Sequence, residues 1–402
     1  MKVLMFGWEF PPFSSGGLGT ACYGLTKGLS NNNIEVTFVV PYAKGAKADY
    51  VKLISAGGLS KIKIKGIESP IEGYMTSEEY EHAKEALRHG DVKDAPRIYG
   101  KNLFAEVERY AKKAELVAKH EDYDVIHAHD WMTYKAGMRA KMISKKPLVV
   151  HVHATEFDRT GGLGVNEAVY DIERQGMHAA DAIVAVSKFT KNKIVEHYGV
   201  PPDKIYVVHN AVEQRNINEL KKKGDKIVLF LGRITLQKGP DYFLYAAKRA
   251  LEVDPNIKFV IAGKGDMSPF IIEKAAEFGI SDRVLFTGFL RGPDIDKAYK
   301  MADLYVMPSV SEPFGITPLE SMSNGTPVMI SKQSGVSEVI SNCLKVDFWD
   351  IDDIANKMVS VLRYDILQES LTENGHYEVK KFNWNDSARK CINVYNKVVG
   401  VN

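Results

Sequence analysis

The stretch SEPFGITPLESMSNGTPV, residues 311 to 328, sets two carboxylates, Glu312 and Glu320, around a Phe-Gly step. The apolar run LYVMPS before it reads as a strand, so a helix is expected to begin near Gly315 or Ile316. The amides of Phe314, Gly315 and Ile316 would then be unpaired donors at the positive end of its dipole. Two acids there either complement that dipole or reach hydroxyls of a bound ligand. Cationic partners stand in GRITLQKG, residues 232 to 239. Arg233 directly follows an apolar strand and Lys238 precedes a glycine. Together they could clamp a diphosphate through a planar fork and a point charge, or Lys238 could simply face water at a helix start.

Two further groups fall at expected strand ends. In SSGGLGT, residues 14 to 20, Gly16 and Gly17 leave backbone N–H groups unhindered for an anion. The spacing is not G-x-G-x-x-G, and a plain tight turn reads the same way. Four of the eleven histidines lie in HAHDW (His127, His129) and HVHA (His151, His153), and strand alternation puts His151 and His153 on one face. With Asp130 they could ligate zinc or manganese in a hydrolase. They could as well be hydrogen-bonded core histidines with one or two facing a cleft, and no further carboxylate or histidine at ligand spacing completes a metal set.

Positioning these residues requires strands that alternate with helices. Short β-rich runs and longer amphipathic stretches alternate along the whole chain, which predicts βαβ units and hence parallel sheets with helices on both faces. In the first half the strands are KVLMFGW, VTFVVP, DVIHAH and LVVHVHA, followed in turn by helices at 17–30, 101–119, 132–144 and 166–179. The polar, lysine-rich QRNINELKKKGD marks a boundary, after which the pattern restarts. Strands IVLFLGR, KFVIAG, VLFTGFL, LYVMPS and PVMIS then alternate with helices at 240–252, 268–278, 294–301, 316–324 and 351–363. The expected organisation is two doubly wound, Rossmann-like α/β domains, residues 1–215 and 216–382, with a C-terminal helix at about 383–402 that joins the first. Residues 43–100 read as a polar insertion with a small strand at 61–66 and a helix at 77–91, a solvated surface excursion.

Composition narrows the function classes. A chain of 402 residues suits two cores. Lys+Arg 53 against Asp+Glu 51 leaves +2, which argues against a nucleic-acid partner. Cys22, Cys343 and Cys391 are scattered and odd in number, so buried thiols in a reducing compartment, the cytoplasm, are expected. The opening MKVLMFGWEFPP lacks a small-residue cleavage site and reads as a first strand. No run of eighteen apolar residues occurs, so no transmembrane segment is expected.

In their order and spacing, GGLGT, DVIHAHDW, HATEFDR, VSKFTK, VVHNAVE, GRITLQKG and the E-x7-E element from Glu312 to Glu320 resemble the retaining nucleotide-sugar glycosyltransferases of family 4. Within them the likeness leans toward bacterial and archaeal glycogen (starch) synthases, and it covers nearly the whole chain. The resemblance implies the GT-B fold, two doubly wound domains facing each other across a cleft. It implies transfer of glucose from ADP-glucose or UDP-glucose to the non-reducing end of an α-1,4-glucan. The alternative is a family 4 transferase using another nucleotide sugar with a small-sugar, sugar-phosphate or lipid acceptor. No metal or other cofactor is implied.

Carried over residue by residue, Gly16 and Gly17 match the loop whose amides meet the donor phosphate. Arg233 and Lys238 match the pair that binds the diphosphate leaving group, with the helix end at Phe314, Gly315 and Ile316 beside them. Glu312 matches the acid that holds the donor sugar's hydroxyls, Glu320 the one that holds the ribose, and His153 the histidine beside the transferred sugar. Gly288, Phe289 and Leu290 match the loop near the base, and Asp130 lies on the acceptor side. Ser334-Gly335 stands where many relatives have a glycine pair, and residues 43–100 have no counterpart. Nucleotide, acceptor and oligomeric state are left open.

Overall fold

The computed structural model describes residues 1–10, 16–42, 51–53, 62–68, 103–162, 164–215 and 224–401; the helix expected at 77–91 lies outside them. The chain gathers into two compact units. One holds Met1–Glu156, Gly164–Asn210 and Trp384–Asn402, and the other Phe157–Leu163 and Ala211–Asn383.

In the first unit, β1 (Lys2–Phe6), α1 (Gly17–Asn31), β2 (Glu35–Tyr42), β3 (Val51–Leu53) and β4 (Ile62–Glu68) come first. They are followed by α2 (Leu103–His120), β5 (Val125–His129), α3 (Trp131–Ser144), β6 (Leu148–Val152) and the short α4 (Glu156–Arg159). Then come α5 (Glu167–Ala179), β7 (Ala182–Ala185), α6 (Lys188–Tyr198) and β8 (Ile205–Val207). The sheet runs β3-β4-β2-β1-β5-β6-β7-β8 and is parallel apart from β3 against β4. Helices cover both faces, so central strands are apolar without alternation; Val3 to Phe6 on β1 are all buried. Strands β7 and β8 extend the sheet past the expected set, because runs as short as AIVA and IYV carry little periodicity of their own.

The second unit repeats the plan with β9 (Ile227–Leu231), α7 (Pro240–Val253), β10 (Lys258–Ala262), α8 (Ser268–Glu277), β11 (Val284–Gly288) and α9 (Pro293–Met301). It continues through β12 (Leu304–Met307), α10 (Ile316–Ser323), β13 (Val328–Ser331), β14 (Leu344–Val346), α11 (Ile351–Arg363) and α12 (Asp365–Val379). Its all-parallel sheet is ordered β11-β10-β9-β12-β13-β14 over a core that includes Phe230, Phe243, Phe259 and Ile354. Helix α12 lies beyond the expected elements, since DILQESLTENGHYEV has only a faint apolar stripe and a glycine within it.

Each sheet reverses its order at the first strand. β1 has β2 on one side and β5 on the other, and β9 has β10 and β12. Connections leave in opposite directions there and open a crevice at the carboxyl ends of the strands, the general location of ligands in such sheets.

Helix α13 (Trp384–Val399) closes the chain and packs on α1 within the first unit. Glycine inside a helix costs about 1 kcal/mol relative to alanine, so Gly24 and Gly28 of α1 need a packing reason. A Cβ on Gly24 would meet the Trp384 indole at 2.1 Å, and one on Gly28 the Trp384 carbonyl oxygen at 2.3 Å. The latter contact is backbone, so no rotamer relieves it. Gly28→Ala is expected to destabilise the protein by about 1–3 kcal/mol through overpacking, read as a lower urea midpoint at unchanged slope.

Candidate active site

The crevice of the second unit gathers the cationic and acidic residues of the two motifs. β9 ends at Leu231, Arg233 follows, and a 3-10 turn over Leu236–Lys238 leads to Gly239 and the first helical residue Pro240. Gly239 has φ 63°, and a Cβ there would lie 2.2 Å from the Pro308 carbonyl oxygen, so only glycine lets this turn sit against the end of β12. The consequence is that Lys238 Nζ reaches Glu312 Oε2 at 2.5 Å, and Ser309 Oγ donates to the same oxygen at 3.2 Å. Gly232, Lys238, Ser309, Glu312 and Thr317 line a small cavity at this point.

The loop that carries Glu312 is fixed on its other side. The Glu312 amide donates to the Gln333 carbonyl at 3.0 Å and its carbonyl accepts from the Gly335 amide at 2.9 Å, while Val336 donates to the Phe314 carbonyl. Gly315, at φ 101°, then turns the chain into α10, which has no side-chain cap. Its first-turn amides at Ile316 and Thr317 are the orphan donors of a helix start, and Pro318 has no N–H to add. Glu320 lies one turn further along, where its Oε2 accepts from the Tyr299 hydroxyl at 3.1 Å. Burial pushes the Glu320 carboxyl up, reinforced by Asp296, while the Tyr299 hydrogen bond and Arg215 oppose the rise. At the edge strand, Gly288 has φ 70° and holds the Gly263 amide through its carbonyl; Phe289 is exposed with the Arg291 guanidinium 5.3 Å from its ring centre.

In the first unit, Gly16 is the extended N-cap of α1 and no side chain caps the helix. Gly16 and Gly17 are both exposed; a Cβ on Gly17 would meet nothing within 4 Å, and one on Gly16 would lie 3.6 Å from a Glu9 carboxylate oxygen. Asp130 is different: it is buried, takes φ 57° and spends Oδ1 on the backbone amides of His153, at 2.7 Å, and Ala154, at 3.4 Å. Its carboxylate holds the end of β6 in place.

The four histidines form one array on β5 and β6, where His129 pairs with His151 in register. His127, His129 and His151 are buried and His153 is partly exposed. Burial, reinforced by neighbouring rings, lowers His127 to about 3 and holds His129 and His151 well below the usual imidazole range. Burial lowers His153 too, against the pull of Asp130. His127, His129 and His151 have ligand atoms within 4.8 Å of one another, as do Cys22, His129 and His153. The rings lie nearly parallel, with interplanar angles of 5° to 27°, and His129 Nδ1 and His153 Nε2 meet edge to edge at 2.9 Å. The chain also has Asp-x-Asp runs at 122–124, 294–296 and 350–352. Asp122 pairs with Lys2, Asp294 with Lys297 and Asp296 with Arg215, while Asp350 caps α11, so these runs are spent on surface pairs and a cap.

Sequence patterns did not mark the residues that join these parts. Gln237, buried beside Lys238, accepts from Arg233 Nη2 at 3.2 Å and donates through Nε2 to the Ser311 carbonyl at 3.0 Å. Its own carbonyl accepts the Val310 amide at 3.0 Å. Ser311 Oγ donates to the buried Asp158 at 2.6 Å. Asp158 belongs to the 157–163 segment, which clusters with the second unit although its flanking residues belong to the first. The only hint in the sequence is that Gln237 directly precedes Lys238.

Comparison with known proteins identifies the family. The model described as Glycosyltransferase Family 4 matches residues 15–215, and the one described as Glycosyl transferases group 1 matches residues 212–377. The chain is 32% identical, in a 416-residue alignment covering 98% of each protein, to an uncharacterized glycosyltransferase of Methanocaldococcus jannaschii. It is 24% identical over 348 residues to a glycogen synthase of Mycobacterium tuberculosis, covering 85% of this chain and 80% of that one. It is 27% identical over 321 residues to a D-inositol 3-phosphate glycosyltransferase of Salinispora tropica, covering 71% and 66%. Sucrose-phosphate synthase from Thermosynechococcus elongatus shares the fold, with a TM-score of 0.79 over 100% of both chains at 18% identity. Two family matches that together span most of the chain, and a relative similar from end to end, make this protein a GT-B glycosyltransferase of family 4, which takes a nucleotide sugar donor and a sugar acceptor.

Proposed function

We propose that the enzyme transfers glucose, with retention, from ADP-glucose or UDP-glucose to the non-reducing end of an α-1,4-glucan. The observation that carries the donor half of this reading is the Lys238–Glu312 pair at the carboxyl end of β9 and β12, with Arg233 and the uncapped α10 amides beside the same loop. An ammonium has three N–H donors, so Lys238 can hold the Glu312 carboxylate in place and still bind a phosphate oxygen. Breaking the sugar–phosphate bond builds negative charge on the diphosphate and positive character at the anomeric carbon. Fixed donors aimed at the first lower the barrier. Arg233, Lys238 and the helix end serve that role, with Gly16 and Gly17 contributing amides to the donor phosphate. Glu312 accepts from the sugar hydroxyls, Glu320 from the ribose, and His153 contacts the transferred sugar. Residues 288–290 flank the base.

With this much fixed positive charge the leaving group needs no divalent cation. Attack by the acceptor hydroxyl on the face of the departing diphosphate retains configuration without a carboxylate nucleophile, unlike a retaining glycosidase. Likeness to the glycogen synthase supports the glucan acceptor. Comparable likeness to the D-inositol 3-phosphate enzyme supports the alternative, a small or phosphorylated sugar acceptor.

The deciding assay measures nucleotide diphosphate release from ADP-glucose, UDP-glucose and GDP-mannose, with glycogen or small sugars and sugar phosphates as acceptor. Product that stays on glycogen and yields glucose with α-glucosidase is expected; transfer confined to small acceptors would replace the glucan reading. Turnover is expected to survive EDTA unchanged, and a rate restored only by added cation would refute the metal-free mechanism. Arg233→Ala and Lys238→Ala are each expected to lower kcat by about ten- to a thousandfold, the scale for one transition-state donor. Near-normal kcat in both would remove the leaving-group assignment. Gln237→Leu keeps both cations but removes the Gln237 hydrogen bonds to Arg233 and to the Ser311 carbonyl, so kcat should fall by about tenfold or more through misplacement.

A further inference from the structure

The reaction proposed above uses one member of the histidine array, His153, and leaves three enclosed beside it. Neutral imidazoles carry one proton and one lone pair each, and partners decide which nitrogen holds the proton. His129 Nδ1 and His153 Nε2 are 2.9 Å apart, so one donates and the other accepts. The two arrangements differ in what they leave behind. If His153 donates from Nε2, His129 must carry its own proton on Nε2, which is enclosed and has no hydrogen-bond partner. If His129 donates from Nδ1, that enclosed Nε2 is only a bare lone pair. His153 then holds its proton on Nδ1, on the one ring of the array that is partly exposed. Enclosed N–H groups without partners are rarer than under-satisfied acceptors, and a proton near solvent keeps a hydrogen bond.

His151, whose ring centre lies 4.2 Å from that of His153, makes no hydrogen bond to the pair through either nitrogen. The Asp130 carboxylate is committed through Oδ1 to the backbone amides of His153 and Ala154, and burial keeps the Cys22 thiol protonated. His127 directs Nδ1 away to the Tyr395 hydroxyl at 2.6 Å.

We propose that His129 is a positioning residue that fixes His153 as its Nδ1–H tautomer, so that His153 offers the sugar a neutral hydrogen-bond donor and not a lone pair. The inference rests on His153 as a sugar contact, but the tautomer is observable without any substrate.

Long-range 1H–15N correlation spectra of the full-length protein labelled with 15N-histidine are expected to show His153 with a protonated Nδ1 and a bare Nε2. The reverse pattern overturns the proposal. His129→Phe removes the donor and should shift His153 toward the Nε2–H form, with kcat falling about ten- to a hundredfold and KM changing little. His129→Asn places an amide N–H close to the lost Nδ1–H and should keep the Nδ1–H signature and most of kcat. Equal losses in both folded variants with the His153 tautomer unchanged would also overturn it. If circular dichroism shows that His129→Phe does not fold, the wild-type spectrum decides alone. An Nδ1–H spectrum from a protein that consumes no nucleotide sugar would uphold the tautomer and sink the proposed reaction instead.

Discussion

Order reversal at the first strand of each sheet is the constraint from which the sites follow. A right-handed crossover can lay the next helix on either face only by going to one side or the other, so the β1 and β9 edges must serve both directions. The strands there are buried on both faces and cannot bend to close the gap. Loops leaving β5, β9 and β12 therefore face outward at the carboxyl ends with amides and polar side chains that the sheet does not use. Asp130, Arg233 and Glu312 stand on those loops, and Gly16 opens the helix after β1.

Within the second unit the cost of such a loop is met by a buried polar network. A carboxylate as enclosed as Glu312 is costly unless it is paired and hydrogen-bonded. Lys238 and Ser309 supply both, and Gln237 ties the cation's turn to the loop that carries the acid. Glu312 is held by backbone as well as by side chain, since the Gln333 and Gly335 contacts clamp it from the segment that follows β13. Such a network resists small displacements collectively.

How much of this was legible in the sequence follows the range of the signal. Apolar runs bounded by glycines located β1, β5, β9 and β12, and the glycines of GGLGT, QKG and PFG marked turns that the structure needs, at Gly239 and Gly315 through positive φ. Helix 316–323 begins where the Phe-Gly step put it. Short strands such as β7, β8 and β14, and the weakly amphipathic α12, carry too little periodicity to announce themselves. What no local pattern shows is partnership across the chain. Asp158 meets Ser311 from 153 residues away, and Gln237 meets Ser311 from 74. The histidine pairs were visible as a cluster, but which rings meet depends on the register between β5 and β6, which no local pattern shows.

That cluster has an electrostatic consequence for the proposed reaction. Positive charge helps at the diphosphate and hurts beside an anomeric carbon that is itself becoming positive, so a histidine contacting the sugar must stay neutral. Three enclosed imidazoles keep His153 neutral from one side by withholding water, and a proton added to any ring would meet its stacked neighbours. Asp130 works against them, since a nearby carboxylate favours the imidazolium. Spending Asp130 Oδ1 on two backbone amides disperses that charge and limits its pull. Cations then remain on the Arg233–Lys238 segment, where the leaving group needs them, while the β5–β6 edge offers uncharged donors.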